Sequence, residues 1–102
     1  MRLPDDLAII HEPVRLGVMA VLQRSRRVRM AALREALKVT DGNLATHVRR
    51  LEEAGFVEVQ RGWSHDGFQA FAMLTPSGAA AIVRYAAAMR ALLEAVDQSD
   101  QA

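Results

Sequence analysis

Four polar residues between positions 41 and 54 recur at the spacing of a single helix face: Asn43, Thr46, His47 and Arg50. Positions i, i+3, i+4 and i+7 of an α-helix point to the same side, so these side chains are expected to form one surface. Asparagine pairs with adenine, arginine pairs with guanine, and a threonine methyl packs against thymine. The pattern therefore predicts contacts to the base edges of duplex DNA, although an ordinary solvated helix face shows the same spacing.

The same segment carries an apolar stripe about 100° away from the polar one. Its members recur at i, i+4 and i+7 and are Leu44, Val48 and Leu51. We expect a helix over residues 41–54, with the stripe facing the core and Gly55 following its last turn. Thr40 is predicted to cap this helix by accepting the N–H of Asn43, and its hydroxyl and the free N–H groups beside it are candidates for holding a DNA phosphate.

Positive charge is concentrated in the middle of the chain. Between Arg24 and Arg50 there are eight basic and two acidic residues, a net charge of +6, whereas the rest of the chain carries −5. This asymmetry predicts that one side of the protein approaches phosphates. Arg49, next to Arg50, therefore joins the candidate DNA-contacting residues; a solvated helical surface is again the alternative.

The chain lacks the residues that several functional classes need. The chain has no cysteine, and its three histidines, His11, His47 and His65, do not have the spacing of metal ligands. It contains no glycine-rich phosphate loop and no nucleophile motif, so we expect neither an enzyme nor a metal or cofactor site. Without a signal-like or membrane-spanning apolar segment, the sequence predicts a cytoplasmic protein.

The elements that must position the polar surface are predicted from periodicity and from glycine and proline. We expect one domain over residues 1–102, mainly α with a small β-hairpin (α+β), in the order α-α-β-α-α-β-β-α. The helices are predicted at residues 5–11, 13–23, 31–38, 41–54 and 76–97. The strands are predicted at residues 28–30, 56–59 and 68–74.

A polar loop over residues 60–67 is predicted to join the last two strands into a hairpin. Such a hairpin directly after two consecutive helices can reach the DNA backbone or the minor groove. Arg61 is the main candidate for this contact, and Ser64 and His65 are weaker ones. Trp63 is predicted either to pack on the hairpin or to lie across a sugar.

The last helix is longer than a core of this size needs. We expect a dimer interface on residues of its apolar face, namely Ile82, Tyr85, Ala86, Met89, Leu93 and Val96. The alternative is that this helix only covers the core of its own subunit. A two-fold dimer would bind half-sites about one DNA turn, roughly 34 Å, apart, which predicts a pseudo-palindromic operator.

Five segments in this order carry a resemblance to a known family: residues 10–16, 33–37, 40–47, 51–57 and 74–78. Over about residues 7–95 the chain resembles the compact winged helix-turn-helix regulators related to the MarR and ArsR families. The resemblance implies a dimeric repressor with the helix from Thr40 to Ala54 in the major groove and the terminal helices at the dimer interface. The chain differs from metal-sensing ArsR proteins in having no cysteine and from larger MarR proteins in being shorter. The resemblance leaves open whether the protein binds a small-molecule effector.

A winged helix that binds another protein instead of DNA is the competing hypothesis, since fold alone does not determine function. A protein-binding surface is expected to carry apolar or acidic residues at the positions of Asn43, Thr46, His47, Arg50 and Arg61. The residues present favour DNA.

Overall fold

Eight regular elements lie between residues 3 and 100, the part of the chain whose backbone the computed structural model describes; side chains are described for residues 3–98. The helices are α1 (Asp5–Ala8), α2 (Pro13–Arg24), α3 (Met30–Leu37), α4 (Asp41–Glu53) and α5 (Pro76–Asp100). The strands are β1 (Val28–Arg29), β2 (Val57–Ser64) and β3 (Gly67–Leu74). They form one antiparallel sheet in the order β1-β3-β2, and the predicted element order and mainly helical class are confirmed.

The hydrophobic core lies between the helices and one face of the sheet. α4 buries its predicted stripe of Leu44, Val48 and Leu51. Further buried side chains come from the other helices, from β2 and β3 and from the segments beside them, and include Leu7, Ile10, Val18, Met19, Leu22, Leu33, Phe56, Val57, Ala72, Ala81, Ile82 and Tyr85. Full burial of each large apolar side chain stabilises the fold by about 1.5–3 kcal/mol, so the core fixes which side of α4 faces inward.

Three residues, 38–40, connect α3 to α4. Lys38 ends α3 in the left-handed conformation with φ of 55°, a geometry that glycine or asparagine usually takes. Thr40 then caps α4 as predicted, its hydroxyl accepting the N–H of Asn43 at 3.1 Å. Arg34 of α3 donates to the carboxylate of Asp41 at 3.0 Å. The turn is therefore held from both helices.

The root of the hairpin is joined to the start of α5. The N–H of Thr75 donates to the carbonyl of Phe56 at 3.0 Å, and the Thr75 hydroxyl donates to the carbonyl of Gly55 at 2.6 Å. That hydroxyl also accepts the N–H of Gly78, so Thr75 caps α5. A Cβ on Gly78 would lie 1.9 Å from the Phe56 oxygen, so only glycine permits this approach.

The hairpin differs from its prediction in where its strands end. β2 and β3 pair without interruption from Val57 and Leu74 to Ser64 and Gly67. The turn has only two residues, His65 and Asp66, so the predicted loop over residues 60–67 is wrong. The reason is that residues 60–64 are exposed on both faces, and a strand with no buried side shows no apolar alternation.

α5 begins at Pro76 as predicted and is longer than the body it packs against. Its 25 residues span about 37 Å at 1.5 Å per residue. Ala81, Ile82 and Tyr85 are buried, whereas every residue over 93–98 is exposed. The protein accordingly measures 61 × 25 × 21 Å, because the end of this helix projects from the core.

Within residues 3–100, no helix combines the length and the apolar character that a membrane span requires.

Candidate nucleic-acid interface

The outward face of α4 presents three of the four predicted polar side chains together. Asn43, Thr46 and Arg50 are exposed on a side turned away from the buried stripe, and Arg49 is exposed as well. The Thr46 hydroxyl donates to the carbonyl of Gly42 at 3.0 Å. Because that proton is used within the helix, the groups that Thr46 offers outward are its methyl and its oxygen lone pairs.

His47 is placed apart from the other three residues. It is half-buried against α2, where its Nδ1 lies 3.0 Å from the guanidinium of Arg15 and 3.3 Å from the carboxylate of Glu12. Arg15 also donates through Nε to the carbonyl of Ile9. These contacts tie the middle of α4 to the start of α2, so His47 helps to set the orientation of the exposed face.

Glu12 has a second role as the cap of α2, where its carboxylate accepts the N–H of Arg15 at 2.8 Å. Burial acts to raise the pKa of Glu12, but the N–H groups of Arg15 and Val14 and the charges of His47 and Arg15 outweigh it. The pKa of Glu12 therefore lies below its ordinary value, and the ionised carboxylate is the form that the fold stabilises. Neither Glu12 nor Arg15 belongs to a periodic pattern, which is why the sequence did not identify them.

The N-terminus of α4 combines free backbone N–H groups with local negative charge. The Thr40 hydroxyl accepts the N–H of Asn43, so its own proton is left to donate to a phosphate together with the remaining N–H groups. Asp41, in the first turn, is paired with Arg34, which also lies 3.7 Å from Glu35. This pairing reduces the repulsion that an isolated Asp41 would exert on a phosphate.

Along the hairpin, Arg61 is exposed on β2 opposite Ala70, and its side chain has room to meet a phosphate. Ser64 stabilises the turn instead, since its hydroxyl donates to the carbonyl of Gly67 and accepts the N–H of Asp66. His65, at the turn, is almost fully exposed and lies 3.8 Å from the Asp66 carboxylate. Of the three predicted hairpin contacts, Arg61 is the one that the turn does not use.

An exposed aromatic pair near the tip of the hairpin was not predicted as a unit. The side chains of Trp63 and Phe68 face each other across the strands in an edge-to-face contact, with ring centroids 5.4 Å apart. Trp63 is 82% exposed and Phe68 is 56% exposed. Closer to the body, Arg27 stacks 3.6 Å above the ring of Phe71 and so braces the hairpin.

The residues predicted at a dimer interface fall into two groups along α5. Ile82 and Tyr85 are buried in the chain's own core, where the Tyr85 hydroxyl lies 2.8 Å from Nδ1 of His11. Ala86 and Met89 are half-buried, and Leu93 and Val96 are both 58% exposed. Core and free surface therefore occupy successive stretches of the same helix.

The first turns of α5 are also held from outside the core. Arg84 donates to the carboxylate of Asp6 on α1 at 2.8 Å, and this bond lowers the pKa of Asp6 below its ordinary value.

No cluster of three or more histidine, cysteine or acidic side chains that could bind a metal ion occurs within the described part of the chain.

The comparisons with known proteins agree with this architecture. The family model for a winged helix DNA-binding domain matches residues 14–93. An uncharacterized protein of Methanocaldococcus jannaschii is 32% identical over 79 residues, which cover 78% of this chain and 86% of that protein. The structure of a transcriptional regulator homologue from Pyrococcus horikoshii superposes with a TM-score of 0.82 at 29% identity, covering 88% of this chain and 89% of the other.

More distant structures share the fold. A MarR-family transcriptional regulator from Silicibacter pomeroyi has a TM-score of 0.66 at 21% identity, covering 91% of this chain and 65% of that one. An ArsR-family transcriptional regulator is found among the similar structures as well. The resemblance predicted from the sequence is confirmed at the level of the fold.

Proposed function

Because the chain belongs to the winged helix DNA-binding domain family, we propose that it regulates transcription by binding duplex DNA sequence-specifically as a homodimer. In this proposal α4 enters the major groove and the β2–β3 hairpin lies on the backbone or in the minor groove. The observation that carries it is the exposed polar face of α4, opposite a fully buried stripe. The family is one of DNA-binding regulators, and the chain is not an enzyme.

Different side chains of the proposed interface are suited to different groups on the DNA. Arg50 is suited to guanine, Asn43 to adenine, and the methyl of Thr46 to thymine. Arg49 and Arg61 are suited to phosphates, which position the protein without selecting a sequence. A protein-binding winged helix is disfavoured because this face carries amides, hydroxyls and arginines rather than an apolar patch.

The projecting end of α5 supports the dimer. Leu93 and Val96 are exposed beyond the core, and Met89 is half-buried just before them. A second copy packing on this stretch would bury these side chains, and a two-fold dimer formed in this way is expected to bind half-sites about 34 Å apart on one duplex. A dimer bound to a pseudo-palindromic operator would exclude other proteins from that site, so we favour a repressor.

Base recognition is tested by two arginine variants. A binding sequence is first selected from random duplex DNA, and affinity is then measured by fluorescence anisotropy at several salt concentrations. Arg50→Ala should weaken binding to the selected duplex by about 1–3 kcal/mol and change binding to random duplex little. Arg61→Ala should weaken both and reduce the salt slope by about 1.

Arg84→Ala, which removes an exposed arginine from α5 outside the proposed dimer interface, is the matched control and should leave both affinities unchanged. Failure of the native protein to bind any duplex at low salt would overturn the proposal. Native-like binding by Arg50→Ala and Arg61→Ala together would place the interface elsewhere.

The dimer is tested with Leu93→Asp and Val96→Asp. Sedimentation equilibrium should give about twice the chain mass of 11.2 kDa for the native protein and a single chain mass for these variants. Val83→Asp is the control, because Val83 is equally exposed on α5 but lies beside the core. A native protein that stays monomeric at high concentration would contradict the dimer.

A further inference from the structure

The aromatic pair at the end of the hairpin contributes little to the fold of its own chain. Trp63 has 82% of its surface in solvent, and its ring contact is to Phe68, itself more than half exposed. On β2, every residue from Gln60 to Ser64 is exposed, so Trp63 lies beyond the part of that strand that packs on the body. An exposed aromatic pair of this kind marks a surface that binds something else.

The charge around the pair indicates what it binds. Side chains on paired positions of neighbouring strands share a face, and that face changes at every residue. Trp63 and Phe68 therefore lie on the same face as Arg61 and Ala70, whereas Glu58 lies on the opposite face with Met73. Asp66 is in the two-residue turn, where its carboxylate lies 3.8 Å from the His65 ring. The aromatic face thus carries one arginine and no acid, which fits an anionic partner.

The dimensions indicate how duplex DNA would be contacted. The minor groove is about 6 Å wide, which is too narrow for a two-stranded ribbon but wide enough for a single side chain. Apolar side chains that enter this groove insert between base steps, unstack them and bend the duplex. The ring of Phe68 contacts Trp63 edge-to-face from across the ladder.

We propose that Trp63, supported by Phe68, inserts into the minor groove as a wedge that unstacks a base step and bends the bound DNA. The proposal rests on the proposed DNA-binding function. Arg61, one pleat nearer the body, would meet a phosphate beside the inserted ring. A flexible pyrimidine–purine step is the sequence expected at this position, because such steps unstack most easily.

The protein contains one tryptophan, so its emission reports on Trp63 directly. With excitation at 295 nm, adding the selected duplex should quench this emission, while end-to-end energy transfer in a doubly labelled duplex should show bending. Trp63→Ala should remove the bend and weaken binding roughly tenfold, the range of a stacked base and aromatic ring. Trp63→Phe should retain part of both.

Anisotropy of a labelled duplex separates the possible failures. If the native protein does not bind the duplex, the proposed function and the wedge fail together. If the native protein binds while the emission of Trp63 and the DNA end-to-end distance stay unchanged, the wedge alone is wrong. Quenching that depends on protein concentration without DNA would show the pair to be a contact between copies, which also overturns the wedge.

Discussion

α4 and the tip of the hairpin are the two exposed parts of the proposed DNA interface, and they are held in place by different means. α4 is fixed by a buried stripe, by the Thr40 cap, by an ion pair to α3 and by the contacts of His47 with α2. Beyond Gln60 the hairpin has its own ladder, the turn bonds of Ser64 and the ring contact of Trp63. The core therefore positions one region and local pairing positions the other.

This difference indicates that α4, rather than the tip of the hairpin, is the region suited to selecting a DNA sequence. Hydrogen bonds to base edges need side chains held within a fraction of an ångström, and a helix packed on a core provides that precision. Contacts to the backbone and the minor groove must follow a duplex whose shape changes with sequence. A tip with few buried contacts opens and adjusts at little cost in free energy.

The largest expected effect comes from the junction that both regions share. Gly78→Ala should destabilise the protein by about 3 kcal/mol or more, because the new Cβ would collide with the carbonyl of Phe56 between α4 and β2. Urea unfolding followed by circular dichroism measures this. Gly42→Ala is the matched control, since it meets nothing within 4 Å, and a helix favours alanine by up to about 1 kcal/mol. Equal urea midpoints for the two variants would show that the close approach of Gly78 to Phe56 is not needed for stability.

The two histidines compare the regions directly. His47→Ala should lower the free energy of unfolding by about 1–2 kcal/mol, because it leaves Arg15 and Glu12 without their partner on α4. His65→Ala should change it by less than about 0.5 kcal/mol, because that ring is in solvent. Thermal and urea unfolding of both variants test the contrast. Similar losses at both sites would mean that α4 is not held more firmly than the tip.

A smaller effect should appear in the pH dependence of stability. The pKa of Glu12 is below its ordinary value in the folded chain, so its ionised form stabilises the fold above a pH of about 4.5, and that contribution is lost as the pH falls further. Glu12→Gln should therefore show a flatter fall in stability below that pH, by less than about 1 kcal/mol. If stability falls with pH equally in the native and variant proteins, the ionised Glu12 carboxylate does not help to hold α4.

The smallest effect is expected at the tip. Trp63→Ala should reduce the free energy of unfolding by no more than about 0.5–1 kcal/mol, the size of one cross-strand pair. Differential scanning calorimetry at a concentration where the oligomeric state is unchanged measures it. A loss as large as that of Gly78→Ala would show that the ring supports the fold.

The same contrast explains what the sequence could predict. The stripe, the Thr40 cap and the left-handed Gly55 of α4 were predictable because each depends on residues within one or two turns. The long strands of the hairpin were not, since Arg61, Gly62 and Trp63 have no buried side to produce alternation. Helical spacing placed His47 on the polar face, but only the packing of α2 shows that this edge turns inward.

The unbroken pairing of β2 with β3 has a consequence for how related proteins can diverge. Adding two residues to each strand would move the aromatic pair about 6.6 Å outward while every side chain keeps its face. Adding one residue to each would turn the rings to the far side. Related proteins can therefore contact differently shaped operators by lengthening the hairpin in steps of two residues per strand, without any change in the core.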